Sequence, residues 1–83
     1  MNADQLGAEL RRLGCKVRSC GGHGYIFMPK RSGGIKLDGS NIHFWDCGIN
    51  VEIDAHLAFE RLHALPDGSG YQKIWSSLQE AAA

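Results

Sequence analysis

At 83 residues the chain has room for one domain, because two cores would each bury too little apolar surface to hold together. Its 43% hydrophobic and 22% charged residues are those of a globular protein and argue against disorder. The formal net charge is zero, yet the charges are segregated along the chain. Residues 1–36 carry Arg11, Arg12, Lys16, Arg18, Lys30, Arg31 and Lys36 against Asp4 and Glu9, whereas residues 37–83 carry Arg61 and Lys73 against seven carboxylates. A basic half can meet phosphates and an acidic half repels them. No basic-then-apolar leader opens the sequence, and no apolar run approaches the roughly 18 residues of a membrane span. A cytoplasmic protein without a membrane partner is therefore expected, and nothing in the chain signals DNA binding. The odd number of cysteines (Cys15, Cys20 and Cys47) fits reduced thiols better than a disulfide framework.

The first element is an amphipathic helix. Asn2 can cap it, with Gln5 completing a capping box; Leu6, Leu10 and Leu13 line one face, and Gly14 ends it. Glu9, Arg11 and Arg12 lie on the opposite face. Short strands follow. Cys15 to Ser19 alternates, with Lys16 and Arg18 on one side. Gly21-Gly22 breaks the chain before Tyr25-Ile26-Phe27-Met28, which is rich in strand formers. Pro29 to Gly34 reads as a turn, and Ile35-Lys36-Leu37 as a strand closed by the hairpin signal Asp38-Gly39. Ile42 to Asp46 points Ile42 and Phe44 one way and His43 and Trp45 the other. Cys47-Gly48 is a tight connection to Ile49 to Ile53, apolar on one face and polar on the other.

Asp54 caps a second helix with a stripe of Ala58, Phe59, Leu62 and Leu65, ended by Pro66 to Gly70. Tyr71, Ile74, Trp75 and Leu78 mark a short third helix, and the Ala81-Ala82-Ala83 tail is expected to fray. The order gives an α+β fold: an N-terminal helix, an antiparallel sheet of three to five short strands, and one or two C-terminal helices packed on one face.

Three groups of residues could carry chemistry. In Gly21-Gly22-His23-Gly24 the glycines allow close backbone approach, and an imidazole there can take a proton from a ribose 2′-hydroxyl and so start RNA cleavage without a metal. Lys16, Arg18, Lys30 and Arg31 are the candidate phosphate contacts. Cys15, Cys20, His23 and Cys47 are zinc-ligand types, but they lack the paired C-x2-C knuckle, and Cys15 and Cys20 should point to opposite faces, so no metal is expected. His56 and His63, seven apart on a helix, are too far separated to share one. Trp45 and His43 are exposed if helices cover only one side of the sheet, and then form a hot spot for a protein partner. If the third helix wraps round through Trp75 and Tyr71, they are buried instead.

The run Leu10-Arg11-Arg12-Leu13-Gly14, then Val17-Arg18, Gly21-Gly22-His23 and Phe27, resembles the N-terminal half of HicA-type mRNA interferases, the toxins of toxin–antitoxin pairs. The resemblance covers about residues 6–37. It implies a double-stranded-RNA-binding-domain-like fold, mRNA and an antitoxin protein as partners, and His23 as the catalytic residue with Gly21 and Gly22 shaping its turn; no cofactor is expected. After Leu37 the chain departs into an added hairpin with His43, Trp45 and Cys47. The expected function is a small RNA-binding domain of this kind, acting as a metal-independent endoribonuclease. The alternative is a non-enzymatic inhibitor or adaptor that docks on a larger protein through His43 and Trp45.

Overall fold

The computed structural model describes residues 2–21, 24–29 and 32–83. The chain runs α1 (Ala3–Arg12), β1 (Lys16–Ser19), β2 (Tyr25–Met28), β3 (Gly34–Asp38), β4 (Asn41–Asp46), β5 (Ile49–Asp54), α2 (Ala55–His63) and α3 (Tyr71–Ala82). The strands form one sheet in sequence order, β1-β2-β3-β4-β5, with every neighbouring pair antiparallel. This is the expected α+β fold, with the sheet at the upper limit of the expected strand number.

Local chemistry sets most boundaries. The capping box forms: the Asn2 side chain accepts from the Gln5 N–H at 3.0 Å, and Gln5 Oε1 accepts from the Asn2 N–H at 2.8 Å. At the other end Cys15 N–H donates to the Leu10 carbonyl and Gly14 N–H to that of Arg11, with Gly14 at φ +80°. That double bond is a Schellman closure, which needs a residue tolerant of the left-handed region. Asp54 caps α2 by accepting from the Leu57 N–H at 3.1 Å. The β4–β5 hairpin turns on Cys47 and Gly48, both at positive φ (44° and 89°), the type I′ geometry that matches strand twist.

Two expectations are corrected. Asp38 pairs with Asn41, so the first hairpin turns on Gly39-Ser40 rather than on Asp38-Gly39. Gly39 takes the positive φ of 62° at the first central position, which moves the turn along by one residue. The alanine tail continues α3 as far as Ala82, and α3 is the longest of the three helices among the described residues. Alanine is the best helix former, and Ala81 also packs against the core beside Leu78.

Leu6, Leu10, Leu13, Phe27, Ile35, Ile42, Phe44, Leu62, Ile74 and Leu78 are fully buried in one core between the sheet and the helices. Trp75 closes it at the aromatic end, meeting Phe44 edge-on at 4.6 Å between centroids and Phe27 at 5.7 Å. Tyr71 donates a hydrogen bond to the Asp46 carboxylate, tying the start of α3 to the end of β4. Burial first, and that bond second, push the Tyr71 hydroxyl well above its ordinary value.

Arg12 does not behave as a solvated residue of the outer helix face. Its Nε donates to Glu9 at 2.6 Å, and its terminal nitrogens donate to the Leu62 and Leu65 carbonyls at 2.9 and 3.0 Å and to Asp67 at 2.7 Å. The guanidinium thus joins α1 to the C-terminal end of α2, where carbonyls lack helical partners. Backbone bonds from Gly68 and Gly70 to the Arg12 and Leu13 carbonyls sew the same loop to α1. Arg12→Ala is expected to lower the thermal midpoint by more than Arg11→Ala, and Arg12→Lys to recover little, because an ammonium lacks the fork; thermal unfolding followed by circular dichroism checks both. The Arg12 hydrogen bond also holds the Glu9 carboxyl below its ordinary value of 4.5. Glu9 therefore stabilises the fold above that pH, and the stabilisation disappears as the pH falls through the lowered value.

Candidate functional site

All three helices lie on the face of the sheet that buries Phe27, Ile35, Ile42, Phe44 and Ile53. Strand alternation and register then define the opposite, open face. It carries Lys16 and Arg18 from β1, Ile26 and Met28 from β2, and Gly34 and Lys36 from β3. His43 and Trp45 come from β4, and Asn50 and Glu52 from β5. One row reads Arg18–Ile26–Gly34–Trp45–Asn50, and the next reads Gly24 side by side with Lys36, His43 and Glu52.

Trp45 lies over Gly34, where an added Cβ would run into the indole ring. A glycine at that cross-strand position lets the ring settle on the backbone while it stays half-exposed. His43 is its neighbour on the same face, with ring centroids 5.7 Å apart, and its Nε2 lies 3.2 Å from Asn50 Oδ1. The third helix does not wrap round to cover this pair. Tyr71 and Trp75 pack on Phe27 at the far side of the sheet.

The other candidate residues divide. Lys16 and Arg18 are exposed on the open face, and among the described residues neither they nor Lys36 enter an ion pair. Lys16 pairs with Met28 at the end of β1 remote from Gly21, so it stands roughly 10 Å along the strand from Ser19. Gly21 takes φ +60°, and the Cys20 N–H donates to the Gly24 carbonyl at 2.8 Å, closing the base of the β1–β2 connection. Gly22, His23, Lys30 and Arg31 lie outside the described residues. Gly24 backs directly onto β3, where an added Cβ would fall 2.6 Å from Lys36 Cβ. Lys36 and Glu52 belong to no sequence motif, and period-two alternation in β3 and β5 is the signal that puts both on the polar side.

Among the described residues no group of three histidines, cysteines or carboxylates could hold a metal ion. Cys15 is buried, Cys20 half-buried and Cys47 exposed. A groove between α1 and α2 is lined by Glu9, Arg12, Phe59, Glu60 and His63. Its charges serve one another, with His63 Nδ1 3.3 Å from Glu9 and Arg12 on the same carboxylate. The open sheet face is the better candidate because its cations and aromatic ring face solvent. No helix among the described residues is long and apolar enough to cross a membrane. What fold and face define is a small α+β domain with a one-sided five-stranded sheet. No protein-family model, curated protein or solved structure matches the chain.

Burial pushes the Cys15 thiol up to about 11, which keeps it protonated and unreactive. Thiol titration of the native protein should modify Cys47 first and Cys20 more slowly. Cys15 should react only after denaturant is added; a third thiol reacting at the native rate would contradict this packing.

Proposed function

We propose that the chain is a small RNA-binding domain that lays a single strand across the open face of its sheet. One observation carries the reading: a half-exposed Trp45, seated on Gly34, shares its face with Lys16, Arg18 and Lys36, cations that enter no ion pair among the described residues. An aromatic platform stacks an unpaired base, and flanking cations hold the backbone. A duplex keeps its bases stacked inside and offers that ring nothing to stack on. The cations lie toward β1–β3, so the strand enters from that side. The resemblance to HicA-type interferases supports RNA as the ligand. It adds an antitoxin protein as partner and an mRNA-cleaving activity that it assigns to His23; Lys30 and Arg31 are further candidate phosphate contacts by their charge.

A second reading is favoured by the other half of the same face. Among the described residues Asp38 and Glu52 share this face with the cations, and carboxylates near His43 and Trp45 suit docking on a protein. An inhibitor or adaptor would use Trp45 as its anchor.

Fluorescence anisotropy with a short labelled single-stranded RNA at low salt tests the first reading. Trp45→Ala should weaken binding about 5- to 150-fold, the worth of about 1–3 kcal/mol per stacked base. Gly34→Ala should weaken it too, although Trp45 is intact, because the new methyl displaces the ring. Replacing Lys16 and Arg18 by alanine should flatten the salt dependence by a slope of about 1–2. Absence of any RNA binding, with Trp45→Ala abolishing capture of a defined protein partner, would favour docking.

The toxin reading has its own test. Induced expression of the wild type should arrest growth, and His23→Ala should not. Equal colony counts for both would remove it.

A further inference from the structure

The register of β3, β4 and β5 assembles three side chains that RNA binding alone does not require. Lys36 stands directly opposite His43, and His43 directly opposite Glu52, all on the open face and all reachable from solvent. Directly opposed residues of an antiparallel pair have their Cβ atoms about 4.5–5.5 Å apart. A cation, an imidazole and a carboxylate therefore stand side by side in one short row. His43 is also oriented: Asn50 Oδ1 accepts from its Nε2 at 3.2 Å, leaving Nδ1 to exchange a proton. Trp45, two residues along β4 on the same face, would hold a base beside this row.

We propose that Lys36, His43 and Glu52 are the catalytic row of an RNA transphosphorylation, an inference that rests on the RNA-binding reading above. The Glu52 carboxylate takes the proton of a ribose 2′-hydroxyl, and the 2′-oxygen forms a bond to the adjacent phosphorus. As the bond from phosphorus to the 5′-oxygen breaks, protonated His43 gives its Nδ1 proton to the leaving oxygen. The Lys36 ammonium offsets the charge that builds on the non-bridging oxygens. The products are a 2′,3′-cyclic phosphate and a free 5′-hydroxyl. One proton passes to Glu52 and one leaves His43, so exchange with water restores the starting state and no further reactant enters. The row also gives the carboxylate on a phosphate-binding face a chemical task.

The test uses the purified full chain, EDTA throughout, and a labelled single-stranded RNA of about ten nucleotides. Anisotropy reads binding, gels read cleavage, and mass spectrometry reads the new ends. The wild type should bind and cleave, yielding cyclic phosphate ends, and a 2′-deoxy substitution at the cleaved position should stop cleavage. His43→Gln and Glu52→Gln should each slow cleavage about 100-fold or more, a loss exceeding any change in Kd. The wild-type rate should follow a bell-shaped pH profile whose acid limb disappears in Glu52→Gln. Circular dichroism confirms that these surface variants are folded. Binding without cleavage overturns the catalytic row while leaving the RNA-binding reading intact. Cleavage that survives both substitutions, or that His23→Ala abolishes while they leave it unchanged, overturns the row as well. Absence of binding overturns the RNA-binding reading itself.

Discussion

The open face exists because every helix is held on the other one, and the Arg12 guanidinium is the contact that joins the two ends of the chain there. All five of its N–H donors are engaged, by Glu9, by the Leu62 and Leu65 carbonyls and by Asp67. A helix C-terminus has carbonyls with no partners inside the helix, and a forked cation can satisfy two of them while its own charge is met by carboxylates. The link fixes α1 beside α2, and the tight loop to α3 then brings Trp75 down onto Phe44 and Phe27. A chain of this length has only one core to build, and it builds it wholly on one side of the sheet.

A one-sided sheet has a consequence for the surface it leaves. The uncovered strands must present side chains that tolerate water, yet β2 and β4 place Ile26, Met28 and Trp45 there. Trp45 is the most telling of these. Polar alternation would put a small hydrophilic residue at that position, and a bare indole on a sheet surface is unfavourable unless it is partly covered. Gly34 supplies the cover from below with backbone alone, so the ring is anchored and stays half-exposed. A glycine in a strand weakens that strand, and its presence here is explained by the ring it accommodates.

Much of the fold was legible in sequence because local signals agreed with the final packing. The Asn2–Gln5 capping box, the Asp54 cap, Gly14 and the alternation of Ile42 to Asp46 each specify a boundary or a face without long-range information. The displaced hairpin at Gly39-Ser40 shows where that stops. Asp-Gly is a turn signal, but which two residues occupy the corner depends on the pairing of Asp38 with Asn41, set by the whole β3–β4 register. The position of Arg12 escapes local pattern for a similar reason. Helical periodicity puts it on the outer face of α1, whereas its partners are carbonyls some fifty residues away that no pattern within α1 can announce. The open-face site was half legible: Trp45 and His43 stood out as an aromatic pair, while Lys36 and Glu52 gain meaning only once the strands are placed side by side.

The charge segregation in the sequence becomes spatial in a particular way. A meander with strands in sequence order maps position along the chain onto position across the sheet, so Lys16, Arg18 and Lys36 lie on β1 and β3, and Glu52 and Asp54 on β5. A chain with crossovers would have mixed them. The open face therefore carries Lys16 and Arg18 at its β1 edge and Glu52 on β5, with His43 and Trp45 between them. The row in which Lys36, His43 and Glu52 stand side by side spans that change of sign. The distribution of charge across this face then follows from a single topological fact, that neighbours in sequence remain neighbours in the sheet.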